Sequence, residues 1–201
     1  MVTLACIVGG YLAGSIPFAI LVSRAMGLPD PRTYGSGNIG TTNVLRSGSK
    51  AAAVLTLVGD AGKGWAAVFV AQMLGADVEQ GALVGFSAFI GHVHPVWLRF
   101  QGGKGVATAA GVLLALEWRV GLAVLVAWLA IVVVSRYSSL AALVGAVVAP
   151  VAAWYFLGAG PVLVAVAAMS AVLVLRHRVN IGKLLRGEES RIGEKKAAAA
   201  H

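Results

Sequence analysis

Seven stretches of this chain are nearly unbroken runs of apolar residues, at 2–23, 51–74, 81–98, 105–116, 120–135, 140–157 and 161–176. A helix needs about 20 such residues to cross a hydrocarbon layer. The pattern predicts an all-α integral membrane protein of about seven transmembrane helices, some of them short or partial. The run at 105–116 is the weakest of the set. Glu117-Trp118-Arg119 interrupts what would otherwise be one apolar run of 105–135, too long for one crossing and short for two, so a tight pair with at least one partial span is expected. Gly10 with Gly14 and Gly81 with Gly85 stand at the spacing that lets helix backbones approach closely. The domain expected is a single transmembrane unit over 1–186, followed by a partly disordered tail over 187–201.

Composition agrees with this pattern. The chain is 59% hydrophobic and 12% charged, with a mean hydropathy of +0.86. A soluble domain carries about a quarter charged residues. The first apolar run has no basic residue ahead of it and is followed by Arg24 instead of a small-residue cleavage site, so it reads as a retained span. Cys6 is the lone cysteine, lies in an apolar run, and is assigned no role.

The net charge of +8 would fit nucleic acid on a soluble basic face, but here the cations lie between apolar runs and follow a membrane topology instead. Arg24, Arg32, Arg46 and Lys50 flank the first connection, Arg99 and Lys104 the third, Arg136 the fifth, and seven more lie from Arg176 to Lys196. The intervening connections carry Asp77 with Glu79, Glu117 with Arg119, and no charge at all. By the positive-inside rule the N-terminus lies outside and the C-terminus in the cytoplasm, which requires an odd number of spans.

The polar stretches all fall on the cationic side. Gly35-Ser36-Gly37-Asn38-Ile39-Gly40-Thr41-Thr42-Asn43-Val44-Leu45-Arg46 gathers glycines, hydroxyl and amide donors and one guanidinium, a composition that suits an anion but also describes an ordinary turn. Gln101-Gly102-Gly103-Lys104-Gly105 puts a lysine at the start of a helix, where unpaired N–H groups favour phosphate. It is not a Walker A sequence. The Ser138 and Ser139 hydroxyls are placed to cap the sixth span. His177 and Asn180, three apart, share a face if helical. Inside the membrane, Asp60 and Lys63 should pair and turn inward, either to fix the helices or to contact a substrate. His92 and His94 have no Cys or carboxylate at ligand spacing, so they read as structural, and no metal site is expected. A phosphate-ester transporter would also want cations, but its site should lie near the midplane between inverted repeats. No internal repeat is seen here.

The segments GSGNIGTTNVLR, GHVHPVWLRFQGGKGVAT and HRVNIGKLLRGEE stand in the order and at the intervals of three cytoplasmic motifs. In them the chain resembles the bacterial acyl-phosphate:glycerol-3-phosphate acyltransferase family over nearly its whole length. That resemblance implies a multi-pass protein of the bacterial inner membrane whose active site faces the cytoplasm. It implies transfer of a fatty acyl group from acyl phosphate to the first hydroxyl of glycerol 3-phosphate, the first acylation of phospholipid synthesis, giving lysophosphatidate and phosphate. Neither acyl-CoA, a metal nor another cofactor is implied; the partners are the two substrates and membrane lipid, with no nucleic acid, and the chain is expected to act as a monomer.

The resemblance marks Ser36, Gly37, Asn38, Thr41 and Arg46 as phosphate-binding, with Gly102, Gly103, Lys104 and Gly105 from the second motif. It matches His177 and Asn180 to the functional pair of the third motif, Ser139 to a substrate-contacting serine and Lys63 to a lysine usual in the second span. His177, Asn180, Ser139, Lys104 and Arg46 are the residues expected to serve the reaction itself. Val179, Arg99 and His94 stand where an acidic residue, a glycine and an aromatic are usual.

Overall fold

The structure is a computed structural model that describes residues 2–194, apart from the Val2 side chain. Among these residues it is entirely helical. The apolar runs become α1 (Val2–Gly14) with α2 (Phe18–Ala25), α4 (Lys50–Met73), α5 (Val78–Val93), α6 (Val106–Leu116), α7 (Trp118–Ser135), α8 (Ser138–Leu157) and α9 (Pro161–Arg176), while the short α3 (Thr41–Leu45) and α10 (Arg178–Leu185) lie in polar segments.

Four stretches are long and apolar enough to cross a membrane alone, and six if the two bent pairs each count as one span. The first run does not stay straight. It breaks at Ser15-Ile16-Pro17, with a 44° bend between α1 and α2. Pro17 cannot donate to the preceding turn, which is a sufficient cause. The expected partial span is α6: eleven residues rise only about 16 Å. A single extended residue, Glu117, separates it from α7, and its carboxylate receives the Arg119 backbone N–H and guanidinium.

Close backbone approach holds the first half together. A methyl on Gly14 would lie 2.0 Å from the Ala88 carbonyl oxygen, and one on Gly111 would lie 1.9 Å from that of Ala61. These positions let α1 meet α5 and α4 meet α6 with nothing between the chains. In the second half, α8 turns a row of small residues, Ala142, Gly145, Ala146 and Ala149, toward an apolar slot that Trp128 of α7 and Met169 of α9 also border. Exposed Val133, Val134, Tyr155 and Val164 cover the outside, as lipid-facing positions would.

The connections differ by end. At one end they are two short turns and the single residue Glu117; at the other lie the segments containing α3, a one-turn 3-10 helix (Val96–Leu98), the glycine loop 99–105, Arg136 and the chain after α9. Of the expected tail, 187–194 folds back onto this second end, and 195–201 lie outside the described residues.

Candidate active site

The first motif folds as a loop leading into α3. Its internal lock is Asn43, 2% exposed, whose Nδ2 donates to the Pro31 carbonyl at 2.7 Å and whose Oδ1 accepts the Ser36 N–H at 2.9 Å. With the amide committed inward, the Ser36 side chain and Gly37 (φ +67°) stay exposed, and Asn38 is half-buried beside Gly40. The Thr41 hydroxyl is buried without a hydrogen-bond partner. Arg46 closes the segment and reaches across the molecule to donate to Ser190 Oγ at 2.5 Å.

The second motif is a loop clamped from two sides. Gly103 N–H donates to the His92 carbonyl at 3.1 Å, while Arg176 donates to the carbonyls of Gly102 (2.8 Å) and Gly103 (3.3 Å). Gly105 takes φ +86° directly over Phe89, where a methyl would come within 2.2 Å of the ring, so both conformation and space require glycine. Lys104 is thereby held just ahead of α6 and donates to Asn180 Oδ1 at 2.6 Å. Burial, with Arg46, Arg176 and Lys183 nearby, pulls its amine down to about 8, against the opposing pull of the Glu189 carboxylate.

The third motif begins at a 58° bend between α9 and α10. His177 sits at that bend, past the end of the span, and is 2% exposed. Its Nδ1 lies 2.8 Å from the Leu173 carbonyl; since a carbonyl only accepts, Nδ1 carries the hydrogen and Nε2 keeps its lone pair. Burial above all, with Lys104 and Arg176 adding to it, pushes this imidazole down to about 4, so it is neutral at physiological pH. Asn180 lies one turn further, on the first turn of α10.

Glu189 ties these parts together, and sequence reasoning had left it in the tail. Its Oε1 accepts from Ser139 Oγ and from Asn180 Nδ2, both at 2.7 Å. The Ser139 hydroxyl therefore does not cap α8, which has no side-chain cap. The backbone around Glu189 is fastened by Ile192, whose N–H donates to the Arg136 carbonyl at 2.8 Å and whose carbonyl receives the Arg136 guanidinium at 2.7 Å. The signal that could have found Glu189 is the acidic pair Glu188-Glu189 in an otherwise basic segment.

Lys63 is not brought to this cluster. Its ammonium pairs with Asp60 Oδ1 at 2.8 Å and donates to the Ile16 carbonyl at 2.7 Å, at the break before Pro17. The expected Asp60–Lys63 pair is present, and these two bonds hold Lys63 within the helix frame.

Helices bundled for lipid, with Arg46, Lys104 and Arg176 gathered at one end beside hydroxyl, amide and glycine groups, define a polytopic membrane protein with a cationic, hydrogen-bonding face. A family described as glycerol-3-phosphate acyltransferase matches residues 4–187. Relatives named glycerol-3-phosphate acyltransferase include one from Ralstonia nicotianae, 61% identical over 94% of this chain and 93% of its own, and one from Burkholderia lata, 62% identical over 94% and 91%. The crystal structure of PlsY (YgiH), an integral membrane glycerol 3-phosphate acyltransferase, in its glycerol 3-phosphate form superposes with a TM-score of 0.89 at 36% identity, covering 95% of this chain and 96% of that one. Its lysphosphatidic acid form gives 0.87 at 35%, with 95% of each chain covered. The chain belongs to the glycerol-3-phosphate acyltransferase family. The expected class, a membrane-embedded acyltransferase of phospholipid synthesis, is thereby met.

Proposed function

We propose that the protein transfers a fatty acyl group from acyl phosphate to the first hydroxyl of glycerol 3-phosphate, releasing lysophosphatidate and inorganic phosphate. The observation that carries this reading is the convergence of Arg46, Lys104 and the Gly102–Gly103 turn on the Ser139–Asn180–Glu189 cluster, at the mouth of an apolar bundle. Two phosphate-bearing molecules must be held together in a poorly solvated place, and fixed cations and donors do this without reorganisation. Each buried CH₂ of an acyl chain contributes about 0.8 kcal/mol, so the helices can anchor the donor without polar contacts.

In the reaction the glycerol hydroxyl oxygen forms a bond to the acyl carbon, and the carbon–oxygen bond to phosphate breaks with its electron pair leaving on phosphate. Phosphate is a good leaving group, so alignment and oxyanion stabilisation suffice and no acyl-enzyme is needed. We assign Arg46 and the glycine loop with Lys104 to the phosphates, together with Ser36, Gly37, Asn38 and Thr41 of the first loop, and Ser139 and Asn180 to glycerol 3-phosphate. His177 Nε2 accepts a hydrogen bond from the attacking hydroxyl. An imidazole held near 4 is a weak base, so the proton passes to a phosphate oxygen.

The basic connections support an active site on the cytoplasmic face of the bacterial inner membrane, with the N-terminus outside. We propose that it acts as a monomer. The test is lysophosphatidate formation by purified, lipid-supported protein from glycerol 3-phosphate with palmitoyl phosphate, and with palmitoyl-CoA in parallel. Product from acyl phosphate alone is expected; product from the CoA ester alone would overturn the donor, and none from either, in folded protein, would overturn the reading. Accessibility of a reporter fused to the C-terminus tests the orientation.

A further inference from the structure

Beneath the glycine loop lies a second polar cluster that the reaction above does not use. Asp60 and Lys63 of α4 and His92 of α5 are 2%, 7% and 6% exposed. Asp60 Oδ1 lies 2.8 Å from Lys63 Nζ and 3.4 Å from His92 Nδ1. The Nδ1 edge of the His92 ring thus faces the ion pair, and the other edge is turned away from it.

That other edge meets the loop. A methyl on Gly103 would lie 2.2 Å from His92 Nε2, and one on Gly102 would lie 2.2 Å from the His92 carbonyl oxygen, which also accepts the Gly103 N–H. Arg176 holds the carbonyls of the same two glycines from the opposite side. The loop is therefore pressed between a ring and a guanidinium, and the ring's angle is set from below by Asp60.

We propose that His92, oriented by the Asp60–Lys63 pair, is a positioning residue: it braces Gly102 and Gly103 so that Lys104 and the loop N–H groups face the phosphate of the substrate. This rests on the functional reading above. It touches no reacting atom. The benefit is geometric, since a loop of two glycines would otherwise sample many conformations before each binding event.

The test compares His92→Asn, which keeps a donor for Asp60, with His92→Leu, which does not, in lipid-supported protein. Steady-state kinetics with palmitoyl phosphate and calorimetric binding of glycerol 3-phosphate are both read. His92→Leu should raise KM and Kd for glycerol 3-phosphate about 10- to 100-fold, with kcat changed far less, as for displaced binding groups. His92→Asn should recover most of that loss. A further pair guards against misfolding of the leucine variant. Gly103→Ala alone should weaken binding, whereas in a His92→Ala chain the added methyl has room, so the double variant should lose less than the sum of the two.

Unchanged KM and Kd in His92→Leu would overturn the brace, as would equal losses in the Asn and Leu variants or strict additivity in the cycle. A fall confined to kcat with a shifted pH profile would also overturn it, by placing His92 in the reaction itself. If the unsubstituted chain binds glycerol 3-phosphate but makes no product, the functional reading falls, and the binding measurements still decide the brace.

Discussion

Two ionic clusters lie one above the other in this protein, built from the same kinds of residue and serving opposite ends. In the lower one a single carboxylate, Asp60, meets Lys63, and a second N–H of the lysine is taken by a backbone carbonyl. The charge is balanced and sealed. In the upper one Glu189 is satisfied by the neutral donors of Ser139 and Asn180, and among the described residues Arg46, Lys104 and Arg176 form no ion pair with a carboxylate. The upper cluster carries an excess of positive charge, which suits the anionic substrates we propose for it; the lower one is part of the frame. What separates receptor from scaffold is the tally of opposite charges within reach and not the residue types.

The strongest way to break this contrast is to unbalance the lower cluster. Lys63→Met leaves Asp60 buried without its cation and is expected to cost about 3–5 kcal/mol of stability, read as a lowered midpoint of thermal unfolding in lipid. Adding Asp60→Asn to that chain should restore most of the stability, though not the loop geometry. In the upper cluster Arg46→Ala should leave unfolding nearly unchanged and lower kcat/KM by about 2–5 kcal/mol equivalent, the range for removing one partner of a desolvated charge pair. Near-normal kinetics would remove Arg46 from the site.

A finer test uses pH. Lys104, at about 8, is charged below that value and neutral above it, so kcat/KM for glycerol 3-phosphate should fall as pH rises through about 8. Lys104→Arg stays charged and should remove that limb from the profile. Glu189→Gln removes the one carboxylate that raises the Lys104 amine, so the limb should move to lower pH while the Ser139 contact survives. The smallest effect lies outside both clusters: Arg99, exposed and at φ 50°, stands in the left-handed region, and Arg99→Gly should stabilise by up to about 1 kcal/mol without touching kcat/KM.

The spans were readable because lipid demands long apolar runs and each run announces itself locally. The gathering of the polar stretches at one end followed from the distribution of Arg and Lys. The bend at Pro17 carried a local signal, the proline, that the reading of one straight span passed over. Glu189 was hidden for a different reason. Its partners Ser139 and Asn180 are 50 and 9 residues away, and the Arg46–Ser190 contact spans 144, so nothing periodic marks the segment as ordered. The Lys63 pairing was legible locally: Asp60 stands one turn before it in the sequence, and that is a contact the fold keeps. Asn43, mid-motif and buried, could be told from its exposed neighbours only by knowing which carbonyls the chain would bring to it.

The shortness of α6 has a consequence for traffic. Its N-cap Gly105 packs against Phe89, four residues before the end of α5, or about 6 Å along it. The glycine loop thus lies against the last turn of α5, and the segment that connects the two carries the exposed Trp97 and Phe100. In the reaction we propose, the two substrates would then come by perpendicular routes: a water-soluble acceptor from the aqueous face, and a long-chain donor laterally, within the plane of the bilayer.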